Sequence, residues 1–221
     1  MTARQLLPYI ISLPPFLLAI TVHEVAHGYI AYRKGDHTAR LMGRITLNPI
    51  RHLDPIGSVL FPLILAMSGT GIIFGWAKPV PVNSFNFKSP RKDMVSVSLA
   101  GPASNLLLAM VFAFLFRIML WFPGANAVWN SPVLGPLAGM LIVGIKISIY
   151  LGVFNLLPIH PLDGSHILEG LLPAQQAMAY SRMASYGWII LLALLFTGVL
   201  NQIIVPFYRV IYLMIRAIFG I

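Results

Sequence analysis

Apolar runs separated by short polar connections dominate this chain of 221 residues. They fall at about Leu6–Tyr32, Ile56–Phe74, Met94–Phe122, Val133–Leu157, Gly187–Leu200 and Ile203–Ile221. Stretches such as Met94–Phe122 and Pro132–Pro158 are long enough to cross roughly 30 Å of hydrocarbon as helices. The last two runs part around Asn201, with Pro206 nearby, and form one bent helix or a tight pair. No internal repeat or low-complexity stretch interrupts the pattern. It predicts an all-α polytopic membrane protein, with about five transmembrane helices in a single membrane-embedded domain over 1–221. Its core covers about 6–165 and its C-terminal helices about 184–221.

The polar connections change how Ile56–Phe74 is read. One basic loop carries Arg33, Lys34, Arg40, Arg44 and Arg51, and a second carries Lys78, Lys88, Arg91 and Lys92. A full crossing by 56–74 would put them on opposite faces, against the tendency of Lys and Arg to collect on the cytoplasmic side. The run also holds "MSGTG" (Met67–Gly71), poor material for a helix interior. Ile56–Phe74 is therefore expected to be re-entrant or interfacial, packed against protein. Both basic loops and the C-terminus then face the cytoplasm, and the N-terminus and the uncharged Pro123–Ser131 connection face outward. Gly43–Leu47 and Lys78–Val82 read as short strands beside this insertion, the second confined to an edge by Pro79 and Pro81.

Composition narrows the class. The chain is 58% hydrophobic and 10% charged, against about 25% charged in soluble domains, so no large soluble domain fits. The N-terminus lacks a basic region and a cleavage site of signal-peptide type, and the first helix serves as the insertion signal. Cysteine is absent, which excludes disulfides, thiolate metal sites and a cysteine nucleophile. The net charge of +9 belongs to cytoplasmic loops rather than to nucleic-acid binding.

Candidate chemistry begins in the first run, at "HEVAH" (His23–His27). Residues four apart share a helix face, so His23 and His27 can hold one Zn²⁺, with Glu24 within reach of a water at the metal. A chain of this composition holds roughly 0.0014 such motifs by chance, and three polar groups in an apolar helix are unfavourable unless they serve a purpose. Catalytic zinc takes three protein ligands and keeps one position open. Among the six acids, Asp36, Asp54 and Asp93 sit in or beside basic loops, solvated or paired, and Glu169 lies on a polar connector. Asp163 follows an apolar run in "NLLPIHPLDGSHIL", where Pro158, Pro161 and Gly164 break the helix and free the carboxylate to point inward. The re-entrant reading brings Asp163 to the same membrane face as His23 and His27.

These residues resemble the site-2 proteases, the zinc intramembrane metalloproteases of peptidase family M50. "HEVAH" (23–27), "AGPASN" (100–105) and "NLLPIHPLDG" (155–164) resemble the three signatures of that family, in order. "GRITLNPIRHLDPIG" and "GWAKPVPVN" resemble its compact bacterial branch; the chain departs from larger members in lacking PDZ or CBS segments and a helix before the first motif. The resemblance covers about Ala19–Ser165. It implies one Zn²⁺ per chain held by His23, His27 and Asp163, with Glu24 as catalytic base. Asn105 and Asn155 match family asparagines that line the active site and contact the substrate backbone or the developing oxyanion. It also implies hydrolysis of a substrate transmembrane helix that unwinds locally, in a bacterial inner membrane, with the site near the cytoplasmic side. The substrate's identity and the oligomeric state are not legible.

The remaining polar residues have plainer readings. His160 and His166 read as exposed loop histidines, with a part beside Asp163 as the alternative. His37 and His52 read as interfacial. Lys146 faces a polar cleft or snorkels to the interface, and Arg117 snorkels. Trp121, Trp129, Trp188 and Tyr208 read as interfacial anchors, and Gly101 with Pro102 as a close helix contact. The rival functions are a divalent-metal transporter, which needs ligands spread across the membrane depth, and a catalytically inactive scaffold.

Overall fold

The computed structural model describes residues 3–60, 64, 76–122 and 124–221. Its α-helices are α1 (Ala3–Arg33), α2 (Thr38–Leu41), α3 (Pro90–Trp121), α4 (Ala125–Asn130), α5 (Leu134–Asn155), α6 (Asp163–Leu171), α7 (Ala174–Ser181), α8 (Gly187–Phe196) and α9 (Val199–Phe219). Five segments are long and apolar enough to cross a membrane: Ile10–Arg33, Pro90–Trp121, Leu134–Asn155, Ala174–Phe196 and Val199–Phe219. The last two part at Gly198, whose φ of 76° only glycine adopts without strain. The break therefore precedes Asn201, which lies inside α9.

Local chemistry sets the ends that matter to the site. Gly35, at φ 106°, closes α1, with Asp36 N–H donating to Ala31 O (2.9 Å) and Gly35 N–H to Tyr32 O (3.1 Å). This pairing satisfies carbonyls that the helix end would orphan. Pro90 opens α3, where a missing N–H is harmless. One turn in, Asp93 accepts from Ser89 N–H (2.9 Å) and pairs with Lys34 Nζ at 2.9 Å. The ion pair pins the end of α1 to the start of α3.

α3 is the central helix, packed against α5, α1 and α6. In lipid, helices associate through close packing rather than through exclusion of water, and α5 carries glycines where it meets α3. A Cβ at Gly144 would lie 2.7 Å from the Phe112 ring, and one at Gly152 would lie 3.2 Å from Pro102 O. Ala109, Phe112, Ile145, Ile149, Leu191, Leu200 and Ile204 form the main buried cluster, so α8 and α9 close onto the same core. Exposed Leu107, Val111, Phe114 and Leu115 give α3 a lipid-facing stripe.

The start of the expected re-entrant segment meets Trp76, two residues beyond its end. Trp76 N–H donates to Gly57 O (3.1 Å) and Ser58 Oγ to Trp76 O (2.8 Å), so residues 57–58 and 76 lie side by side. Apart from residue 64, positions 61–75 lie outside the described residues. The expected strands at Gly43–Leu47 and Lys78–Val82 do not form; no strand occurs among the described residues. Pro79 and Pro81 supply no N–H for a ladder. Instead Arg44 Nη2 donates to Lys78 O (2.8 Å) and Pro79 O (3.3 Å). Lys78 N–H donates to His52 O (2.9 Å). Both basic loops thus share one end of the bundle, the end that holds the start of α3.

The C-terminus does not share it, contrary to the sequence expectation. Ile221 packs with Phe116, Val128 and Leu134 at the opposite end, where Arg117 Nη1 donates to Gly220 O (3.2 Å). Arg117 thus ties down the chain end instead of merely snorkelling.

Candidate metal centre

His23 and His27 project from one face of α1, four residues apart, and meet Asp163 at the first turn of α6. His23 Nε2 and His27 Nε2 lie 3.1 and 3.2 Å from Asp163 Oδ2 and 3.0 Å from each other. These three residues are the group among the described residues that could hold a metal ion. Both histidines are buried, and the carboxylate is largely buried.

The donor chemistry fits a cation. His27 Nδ1–H donates to Val97 O at 2.8 Å, so in the neutral ring Nε2 presents a lone pair to the cluster. Asp163 Oδ2 is buried, with His23 Nε2 and His27 Nε2 as its near neighbours. Burial pushes the Asp163 carboxyl up, but the His23 and His27 imidazoles outweigh it and hold it below the usual carboxylate range. Two imidazole nitrogens and a carboxylate oxygen about 3 Å apart require a proton or a metal among them. Two nitrogens, one oxygen and one open side is the composition of a catalytic zinc site.

Gly101, on α3, makes this convergence possible. A Cβ there would stand 2.3 Å from His27 Nε2 and 2.6 Å from His23 Cε1. Pro102 follows it inside α3 and removes one helix hydrogen bond. Asp163 is placed by a second close approach: Gly164 sits where a Cβ would lie 2.2 Å from Leu156 O and 2.4 Å from Leu157 O. The turn after α5 therefore folds tightly under α6.

The cluster opens into a cavity of about 550 Å³. Glu24 lines it, and its Oε2 accepts Val80 N–H at 2.7 Å. Asn155 also lines it, its Nδ2 turned back to Leu151 O (3.0 Å). Asn105 does not reach the cavity; it is fully buried behind His23, with its amide 3.1 Å from His23 Nδ1. The two asparagines that the motifs pair are thus separated, one at the cavity wall and one behind a histidine.

Several plainer readings change. His52 is fully buried, not interfacial, and its Nε2 meets Thr46 O at 2.9 Å. Asp36 is also fully buried. It accepts from Thr38 N–H and Oγ1, Asn83 N–H and Asn86 Nδ2, which tie 83–86 to the end of α1. His160 is buried, its ring tilted against that of Tyr180, while half-exposed His166 lies at the cavity wall; neither joins the donor cluster. Lys146 is exposed on α5 and does not line the cavity, which leaves the snorkelling reading. Trp188 packs on Trp76 with ring centroids 5.6 Å apart, at the cavity wall rather than as an anchor. Val97 and Gly101 were missed as contributors to the cluster. The Gly-Pro pair in an apolar helix carried a signal for Gly101, whereas Val97 acts through its carbonyl, which no side-chain pattern shows.

Comparison with known proteins points to zinc metalloproteases. The model of "Peptidase family M50" matches residues 12–198. A protein of Bacillus subtilis (strain 168), named "Putative zinc metalloprotease YwhC", is 40% identical over 207 residues, which cover 91% of this chain and 90% of the relative. Rip2 of Mycolicibacterium smegmatis, named in the same words, is 33% identical over 195 residues, covering 88% of this chain and 70% of the relative. Rip2 of Mycobacterium tuberculosis (strain H37Rv) is 29% identical over 198 residues, covering 87% and 69%. No solved structure matches.

Proposed function

The chain belongs to peptidase family M50, and from that premise we propose that it cleaves membrane-spanning segments of other proteins, using zinc held by His23, His27 and Asp163. That it is an integral membrane zinc metalloprotease follows from the family and the apolar helices. The observation that carries the finer reading is the meeting of three metal donors with Glu24 at the wall of one cavity between membrane helices.

Zinc, when bound, polarises a scissile carbonyl and activates water for attack. Glu24 takes the proton of the attacking water and returns it to the leaving amine. Val80 N–H orients that carboxylate from the cavity wall. Asn155 supplies a neutral amide that can turn from Leu151 O to the oxygen on which charge develops. Phe16, Ile20, Leu151 and Phe154 give the cavity the apolar walls that a transmembrane segment requires.

A substrate helix hides its peptide bonds in its own hydrogen bonds, so it must unwind locally. Cleavage is expected near Gly, Pro, Asn or Ser in the substrate. Residues 77–82 run along the cavity. Lys78 N–H is spent on His52 and Val80 N–H on Glu24, and Pro79 and Pro81 have none. Arg44 already holds Lys78 O and Pro79 O, so the carbonyls of 80–82 are the ones offered to an unwound chain, a one-sided form of strand addition.

The basic loops lie at the site's end of the bundle, which supports a site near the cytoplasmic side of the cell membrane. Donors gathered at one depth support hydrolysis over metal transport, which needs ligands across the full path. The test is cleavage of a model transmembrane substrate by purified protein and by Glu24→Gln at equal zinc content. Cleavage by the parent alone supports the reading; no cleavage by either removes its support.

A further inference from the structure

Asn105 is fully buried on α3, one turn beyond Gly101, and its amide meets His23 Nδ1 at 3.1 Å. With Nδ2 towards the ring, Asn105 Oδ1 is left buried without a partner. The two ends of an amide have the same shape, so the network decides which one faces the ring. If Nδ2 donates, His23 Nδ1 must accept and the ring proton sits on Nε2. That nitrogen stands 3.1 Å from Asp163 Oδ2 and 3.0 Å from His27 Nε2, where a proton would exclude a metal. If Oδ1 faces the ring, Nδ1–H donates to it and the Nε2 lone pair points into the cluster. This mirrors His27, whose Nδ1–H is held by Val97 O on the same helix.

We infer that Asn105 is a positioning residue for the metal, fixing the tautomer and ring orientation of His23 through Oδ1, and that it does not touch the substrate. Its burial and its absence from the cavity wall exclude contact with a bound peptide. α3 thus holds both imidazoles from behind, one through a side chain and one through a backbone carbonyl. Such supporting acceptors change metal affinity by about 10–100-fold when removed.

The inference rests on the zinc assignment above, and one set of variants separates the two. Zinc affinity is measured by competition with a chromophoric chelator, alongside kcat, KM and the melting temperature of the metal-free protein. His23→Leu is the control: if it keeps parental affinity, the zinc assignment itself fails. Asn105→Leu and the smaller Asn105→Ala are expected to weaken zinc binding about 10–100-fold. Asn105→Asp, which keeps an acceptor in place, is expected to restore it. Excess zinc should then restore kcat in the Ala variant. If His23→Leu loses zinc while Asn105→Ala binds at parental affinity and loses kcat, Asn105 acts on the substrate and the inference is overturned. Should Asn105→Leu not fold, Asn105→Ala carries the same decision.

Discussion

Replacing Gly101 by Ala adds one methyl group at the point where α3 touches both imidazoles. The new Cβ would stand 2.3 Å from His27 Nε2, and 2.6 Å from His23 Cε1 and His27 Cε1. Ordinary contact begins near 3.4 Å, so the rings must retreat by about 1 Å. The fold can absorb that, because ring tips move more easily than backbone, at about 1–3 kcal/mol for an overpacked site. The metal centre cannot, since zinc–nitrogen bonds of about 2.0–2.1 Å tolerate roughly 0.2 Å. The expected result is a folded protein with a modest fall in melting temperature and at least a 100-fold loss of zinc affinity. Elemental analysis after dialysis against buffered zinc, with thermal unfolding in the same detergent, measures both. A Gly101→Ala protein that binds one zinc with parental affinity would refute the argument that this glycine makes room for the ligands.

Gly164→Ala meets backbone rather than ring tips, with two carbonyls within 2.4 Å; it should lower both melting temperature and zinc content, and an unchanged thermal profile would contradict the tight turn. Asp36→Ala removes an acceptor with four donors and should cost about 3 kcal/mol, read as a melting shift. In the parent, burial pushes the Asp36 carboxyl up, but Thr38, Asn83 and Asn86 outweigh it and hold it below its ordinary value. Its contribution is therefore full above about pH 4 and lost as pH falls further, and Asp36→Asn should flatten that acid loss. Reporter fusions at the C-terminus and within the 43–47 loop should fall on opposite faces of the membrane, whereas the same face for both would contradict the packing of Ile221 beside Val128.

Much of this site was legible because its chemistry is misplaced in lipid. Histidines and a glutamate inside an apolar helix are unfavourable without a purpose, so their spacing announced a metal, and scarcity of acids singled out Asp163. The meeting of Gly57 and Ser58 with Trp76 was legible in the charge pattern, because like-charged loops on opposite faces would break the charge asymmetry. The strands were not, because two prolines that looked compatible with an edge left too few N–H groups for any ladder. The C-terminus was misplaced because a hydropathy pattern gives lengths, not which helix end meets which. Ile221 is placed by contacts with Phe116, Val128 and Leu134, all distant in sequence. The motif match grouped Asn105 with Asn155, yet one lies behind His23 and the other at the cavity wall.

Zinc-edge X-ray absorption of the purified, zinc-loaded protein tests the centre most directly. The account predicts two imidazole nitrogens at about 2.0–2.1 Å and carboxylate or water oxygen at about 2.0–2.2 Å. It also predicts that His27→Ala removes one imidazole contribution and that Asp163→Ala depletes the oxygen shell. A spectrum indifferent to the loss of His23, His27 and Asp163 in turn would mean that the metal sits elsewhere.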